Sequence, residues 1–394
     1  MDYTFSDRLK DLQGNAIREI FKLLSNPDVI SFAGGMPATD CIALDLIKKY
    51  TDEVLSESGF SVLQYGATEG YLTLRNKLIS YIEKTGLKGI NLSNILVTSG
   101  GQQGIDLTFK AFINKGDYIL VEDPTYLAVL HIAKTYEANV ASVKSNEDGV
   151  NLNDLEDKIK KNKPKIFYIV PNFSNPTGKI LSLQKRKDIA ALCYKYKVIV
   201  LEDDPYRDLR YNGKSIDSIK SFDIGGNVIY LTSFSKIISP GLRVGAAFAN
   251  EDIIRKLTIG KQATDVHTST LSQAVVEKFL NGGILENLIA VNIPKYKQRL
   301  DAMISAIKNY MPQSFKFNKP DGGLFVWGEF ECGLSAKAYF KKAVTDYKVA
   351  YVCGNDFFAD GRGDNYIRLN FSNASIEKID EGIKKLGLMF KGEL

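Results

Sequence analysis

A doubly wound α/β domain followed by a smaller α+β domain is the architecture this 394-residue chain predicts, and three observations carry it. Short β-rich apolar runs recur, each ending in small or polar residues and followed by a helical pattern. They are NILVTSGG (94–101), DYILVEDPTY (117–126), KIFYIVPN (165–172), KVIVLEDDPY (197–206), NVIYLTSFSK (227–236) and RVGAAFAN (243–250). Most are apolar almost throughout rather than alternating, which predicts strands covered on both faces in a mainly parallel sheet. The texture then changes after about residue 290, where the strand-helix rhythm stops.

The elements follow in order. Amphipathic stretches such as DIAALCYKY (188–196) fill the gaps between the runs and predict the covering helices of an α/β domain over about residues 45–285. Beyond it, KYKQRLDAMISAIKNYM (295–311) predicts a long helix, with Pro294 at its first turn or at a kink. FKFNKPDGGLFVWGEF (315–330), a helical stretch near 335–347, YVCG (351–354) and YIRLNFS (366–372) complete the small domain. The expected division is 1–40 as an N-terminal arm, 41–290 as the large domain and 291–394 as the small one.

Composition narrows the function. Hydrophobic residues are 44% and charged residues 25%, an ordinary globular balance. Lys plus Arg is 51 and Asp plus Glu 46, so the net charge of +5 is too diluted to predict nucleic acid or an anionic membrane as partner. The first residues, MDYTFSDRLK, contain no apolar signal core, and no run approaches the ~18 residues of a membrane span. Cys41, Cys193, Cys332 and Cys353 lie far apart, and there are two histidines, His131 and His267. Reduced, packed thiols, no metal and a soluble cytoplasmic protein are the expectations.

In open α/β sheets ligands bind at the carboxyl ends of the strands, and here those ends are polar. TSGGQQGIDL (98–107) has glycines at a strand-to-helix turn, which suits a phosphate or simply a capped turn. TSFSKIISPGLRVG (232–245) places Ser233, Ser235, Lys236 and Arg243 between two apolar strands. VLEDDPY (200–206) carries three carboxylates, of which one or two read as solvated turn residues. PNFSNPTG (171–178) is a turn whose amide could hold a ligand hydroxyl. Arg368, between Ile367 and Leu369, is a candidate for bidentate carboxylate recognition.

Pyridoxal 5'-phosphate (PLP) uses all of these groups: an amine for its aldehyde, a phosphate cup, a carboxylate for the ring nitrogen, a donor to the ring hydroxyl and an aromatic face. S-x-S-K-x-x-x-P-G-x-R-x-G, with N-P-T-G and D-x-P-Y upstream, resembles the class I/II aminotransferases of PLP fold type I. Within them the chain is most similar to the 2-aminoadipate and kynurenine-like branch, from about Ile17 onward. The resemblance implies a mainly parallel seven-stranded sheet between helices, and a small domain built from the C-terminal part and the N-terminal segment.

It also implies roles. Lys236 forms the Schiff base, Asp203 pairs with the ring nitrogen, and Tyr206 with Asn175 serves the ring hydroxyl. Tyr126 stacks on the ring. Ser233, Ser235, Arg243 and the backbone of Gly101 and Gln102 hold the phosphate, with Tyr65 of LQYGATEG donated across a homodimer boundary. Arg368 binds the substrate α-carboxylate, and FAGGMP (32–37), with Gly35, closes over the site. The chain departs from the family at Gly101, often Ser or Thr there. The implied reaction moves an amino group from an L-amino acid to a 2-oxo acid, with glutamate and 2-oxoglutarate as one pair. Arg18 in NAIREIFKLL (15–24) reads either as a ligand for a side-chain carboxylate or as a solvated arginine on an amphipathic helix. A PLP lyase or decarboxylase would use the same Lys236 and Asp203. A regulator's effector domain would need a DNA-binding domain ahead of FAGGMP, where about 30 residues stand.

Overall fold

The computed structural model describes residues 3–10 and 28–392. Its centre is an eight-stranded sheet. In chain order, after the two-residue strand β1 (Ile30–Ser31), its strands are β2 (Ile95–Thr98), β3 (Tyr118–Asp123), β4 (Asn139–Asn146), β5 (Gly149–Val150), β6 (Ile166–Ile169), β7 (Ile199–Asp203), β8 (Val228–Ser233) and β9 (Gly245–Phe248). They lie side by side as β2-β9-β8-β7-β6-β3-β4-β5. The expected count of seven is corrected by β5, where the chain after β4 doubles back in a hairpin and pairs Ser145 with Val150.

β3, β4, β6, β7 and β8 run parallel, and β6 and β8 are buried along their whole length. β4 is the one long strand absent from the apolar runs. It lies next to the two-residue edge strand β5 and is only half covered, so polar residues are mixed into its sequence NVASVKSN instead of an apolar run. β9 is antiparallel to both neighbours, pairing Ser233 with Gly245 and Thr98 with Gly245. This reversal matters, because it brings the start of β9, with Arg243 just ahead of it, to the edge where β2, β7 and β8 end.

The smaller unit is a four-stranded antiparallel sheet. Its members are β10 (Phe315–Phe317), β11 (Phe325–Phe330), β13 (Val352–Cys353) and β14 (Tyr366–Asn370), in the order β10-β11-β14-β13. β1 pairs in parallel with β12 (Val349–Ala350), so the N-terminal segment joins the small unit. The helix Ile284–Tyr310 runs between the two cores and starts earlier than the sequence predicts, leaving Pro294 in its interior rather than at its first turn. Cys332 is exposed, against the expectation of a packed thiol, whereas Cys41 and Cys193 are buried. Among the described residues no helix is long and apolar enough to cross a membrane.

Candidate active site

The sheet's topology gathers the polar strand ends. Asp203 is the last residue of β7, Ser233 the last of β8, and Lys236 lies in the single helical turn that follows. Lys236 donates from Nζ to the Gly35 carbonyl at 2.7 Å. That bond seats the segment 32–37 over the site, and Ser372 Oγ fixes it from the small unit by donating to the Met36 carbonyl at 2.6 Å. Burial, then the positive charges of Arg368 and Arg243, lower the Lys236 pKa from 10.5 to about 8.

All three carboxylates of VLEDDPY are buried, which corrects the solvated reading given to some of them. Glu202 accepts the backbone N–H groups of Ile219 and Lys220, both at 2.8 Å. Asp204 accepts both hydrogen bonds of the Asn172 amide, at 2.8 and 3.0 Å, and the Tyr230 hydroxyl at 3.0 Å. These two are structural. Asp203 differs: Tyr168 donates to Oδ2 at 2.8 Å, while Oδ1 faces the Gly101 turn. Burial raises its pKa to about 7, against the Tyr168 hydrogen bond and the nearby Lys236 charge, which lower it. Tyr168 was not singled out by the sequence, although it is the one hydroxyl in the run IFYIV.

Polar groups gather at a helix start beside this pair. Gly100, at φ 78, caps the helix Gly101–Phe112, and a Cβ on it would sit 2.7 Å from an Arg243 Nη atom. Arg243 itself is left-handed (φ 54, ψ 46), a conformation that costs a non-glycine residue about 1 kcal/mol or more. Its guanidinium is held by the Ser99 carbonyl at 3.1 Å. Ser233 Oγ donates to Ser235 Oγ at 3.1 Å. Tyr126 precedes the helix Leu127–Thr135, with its hydroxyl 3.5 Å from Gln102 Oε1. Burial raises the Tyr126 pKa to about 12.

Arg368, on β14 opposite Trp327 and Val352, closes the far side. It is buried, donating from Nη1 to Asn175 Oδ1 at 2.9 Å and from Nη2 to the Ala33 carbonyl at 2.6 Å, while Nε has no partner among the described residues. Phe325 and Phe357 flank the guanidinium at 4.3 and 5.1 Å, contacts the sequence did not signal. Desolvation lowers its pKa to about 10, incompletely offset by Tyr206, Tyr126 and Asp356. Asn175 sits on a loop anchored by Glu122, which accepts from the Val170 N–H at 2.9 Å, and by the buried Arg186, which donates to the Pro171 carbonyl at 2.9 Å. The buried Tyr206 hydroxyl meets Asn175. Tyr65 stands apart, 81% exposed, its ring 6.0 Å from that of His267. Arg18 lies outside the described residues.

The donor set fits PLP. One partly neutral amine, one buried carboxylate with an oxygen to spare and a hydroxyl-and-guanidinium cup at a helix start share one end of the sheet. A buried guanidinium with an N–H unpartnered among the described residues sits beside them.

The comparisons agree. The model of the family aminotransferase class I and II matches residues 27–386. Aromatic-amino-acid aminotransferase 1 of Thermococcus litoralis is 41% identical, covering 100% of this chain and 96% of that protein. The 2-aminoadipate transaminase of Thermus thermophilus is 36% identical over 97% of this chain and 95% of that one. Among solved structures, the kynurenine aminotransferase of Pyrococcus horikoshii in complex with PMP superposes with a TM-score of 0.94 at 39% identity, covering 99% of this chain and 97% of that one. The chain belongs to the class I and II aminotransferases, has PLP fold type I, and is a PLP-dependent aminotransferase.

Proposed function

We propose that this enzyme moves the amino group of an aromatic, aliphatic, glutamate-like or 2-aminoadipate-like L-amino acid to a 2-oxo acid, with 2-oxoglutarate as the expected acceptor. Both half-reactions use one site in turn, so the kinetics are ping-pong. The observation that carries the reading is Arg368. A buried guanidinium whose Nε has no partner among the described residues, close enough to Lys236 to depress its pKa, suits an α-carboxylate held beside a base. The names of the relatives, with aromatic, aminoadipate and kynurenine substrates, support the same substrate range.

Lys236 would hold the cofactor through Nζ, and Asp203 Oδ1 would face its ring nitrogen. Tyr206 and Asn175 would serve the ring hydroxyl, and Tyr126 the ring face. Ser233, Ser235, Arg243 and the N–H groups of Gly101 and Gln102 would take the phosphate. Bound PLP supplies an electron-accepting ring conjugated to the carbon that carries the substrate amine. Arg368 would hold and orient the substrate carboxylate, and so select the Cα–H bond rather than the carboxylate bond for cleavage. Lys236 Nζ would take the Cα proton, and burial keeps a useful fraction of it neutral. Segment 32–37 excludes water. An exposed Tyr65 suits donation across the boundary of a cytoplasmic homodimer.

Assays of an L-amino acid panel with 2-oxoglutarate as acceptor test this, with glutamate formed in step with each 2-oxo product. Glutamate formation absent across the panel would reject the acceptor. Arg18→Ala is expected to lower kcat/KM for glutamate and 2-aminoadipate at least tenfold, about 1.4 kcal/mol, while sparing aromatic substrates. An unchanged ratio between the two substrate classes would leave Arg18 a surface residue.

Gly101 offers a gain. A Cβ there meets only Asp203 Oδ1 at 3.6 Å and Ser233 Cβ at 3.9 Å, which is ordinary contact. Gly101→Ser therefore adds a hydroxyl beside the phosphate cup without a clash, and it removes a flexible residue from a helix start. One further hydrogen bond to an anion, worth about 1.5 kcal/mol, is expected to tighten PLP about tenfold. Titration of the apo-enzyme with PLP reads this.

A further inference from the structure

The phosphate cup rests on a buried lysine that touches none of it. Lys261, on the helix Glu251–Asp265, is wholly inaccessible. Its Nζ donates to Gln103 Oε1 at 2.6 Å and to both oxygens of Asp265 at 2.9 Å. Gln103 passes the restraint on. Its Oε1 also accepts the Ser99 N–H at 2.8 Å, and its Nε2 donates to Asp265 Oδ2 at 2.7 Å. Ser99 Oγ donates to the same Asp265 oxygen at 3.0 Å.

The physical consequence lies at Gly100. As a glycine N-cap it has no side chain to fix the first turn of the helix Gly101–Phe112. Gln103, in that turn, supplies the missing restraint by accepting from Ser99 instead, in the manner of half a capping box. The amide of Gln103 could flip. Lys261 prevents this, because a cation can meet only the amide oxygen while Asp265 takes the NH₂. With the Ser99 N–H and Oγ both taken, its carbonyl is left to hold the Arg243 guanidinium at 3.1 Å. A fully buried ammonium is costly, and the pair it makes is no net source of stability. Positional use explains its presence better than stability does.

We propose that Lys261 is a positioning residue for the cofactor phosphate: through Gln103 and Ser99 it sets the Gly100–Gln102 turn and the aim of Arg243. The inference rests on the phosphate reading of that cup.

The test compares apo-enzyme affinity for PLP with that for pyridoxal, which lacks the phosphate. Lys261→Met is expected to weaken PLP at least tenfold and pyridoxal by less than twofold. Gln103→Met, which keeps the Lys261–Asp265 pair, is expected to weaken PLP at least threefold with the same selectivity, and it decides the matter if Lys261→Met does not fold. Equal loss for both ligands, or PLP binding within twofold of the parent, overturns the inference. Arg243→Leu is the control. If it too leaves the ratio of the two affinities unchanged, the phosphate reading fails and the inference with it. If Arg243→Leu collapses the ratio and the other variants do not, the inference alone is wrong.

Discussion

Lys236→Ala is expected to lower the rate of the amino-transfer half-reaction by about 10⁴ or more, without recovery at saturating PLP. A general base contributes about 10²–10⁴, and removal of the covalent anchor adds to that loss. The pH dependence identifies the group. Burial, with Arg368 and Arg243, depresses Nζ to about 8, so the neutral amine appears as pH rises through that value. The parent's single-turnover rate should therefore climb between about pH 7 and 9 and flatten above. In Lys236→Ala the residual rate should lose that limb. Stopped-flow absorbance with L-glutamate reads both. A retained limb in the variant would move the base elsewhere.

Asp203→Asn carries the second large effect. The isosteric amide keeps a partner for the Tyr168 hydroxyl but removes the negative charge opposite the ring nitrogen. Losing one preorganised electrostatic partner in a buried site typically costs ~10²–10³ in rate, and that is the expected fall in kcat. The sign for stability is opposite. Asp203 titrates near 7 in the folded apo-protein against 3.8 unexposed to burial, mainly through desolvation. A raised carboxyl pKa gives stability that is fully present below about pH 4 and lost as pH rises through about 7. The amide removes that loss, so apo Asp203→Asn should melt no lower than the parent at pH 8 while its activity collapses. A variant that is both inactive and less stable would make Asp203 an ordinary structural carboxylate.

Much of the site was legible because its groups lie close in sequence. Ser233, Ser235, Lys236 and Arg243 fall within eleven positions and flank two buried strands, so their convergence needs only the hairpin of β8 and β9. The mainly parallel sheet was legible for a similar reason, since strands covered on both faces are apolar throughout. What stayed hidden depends on distant partners. Glu202 and Asp204 look like Asp203 in sequence, and only Asn172, Ile219, Lys220 and Tyr230 show that those two serve the fold. β4 escaped because a half-covered strand mixes polar residues into its run, and β5 because two residues carry no pattern. The helix Ile284–Tyr310 masks its start, since Pro294 in its interior reads as a boundary. Lys261 gave no signal, because an i,i+4 pair with Asp265 looks like any exposed helix pair.

The assignment of Lys236 is tested most directly by borohydride reduction of the PLP-loaded enzyme followed by peptide mapping. One phosphopyridoxyl group per chain is expected, on the peptide containing Lys236, with the absorbance near the visible edge abolished. A label on Lys261, the other lysine buried near the cup, or on surface lysines with position 236 unmodified, would contradict it.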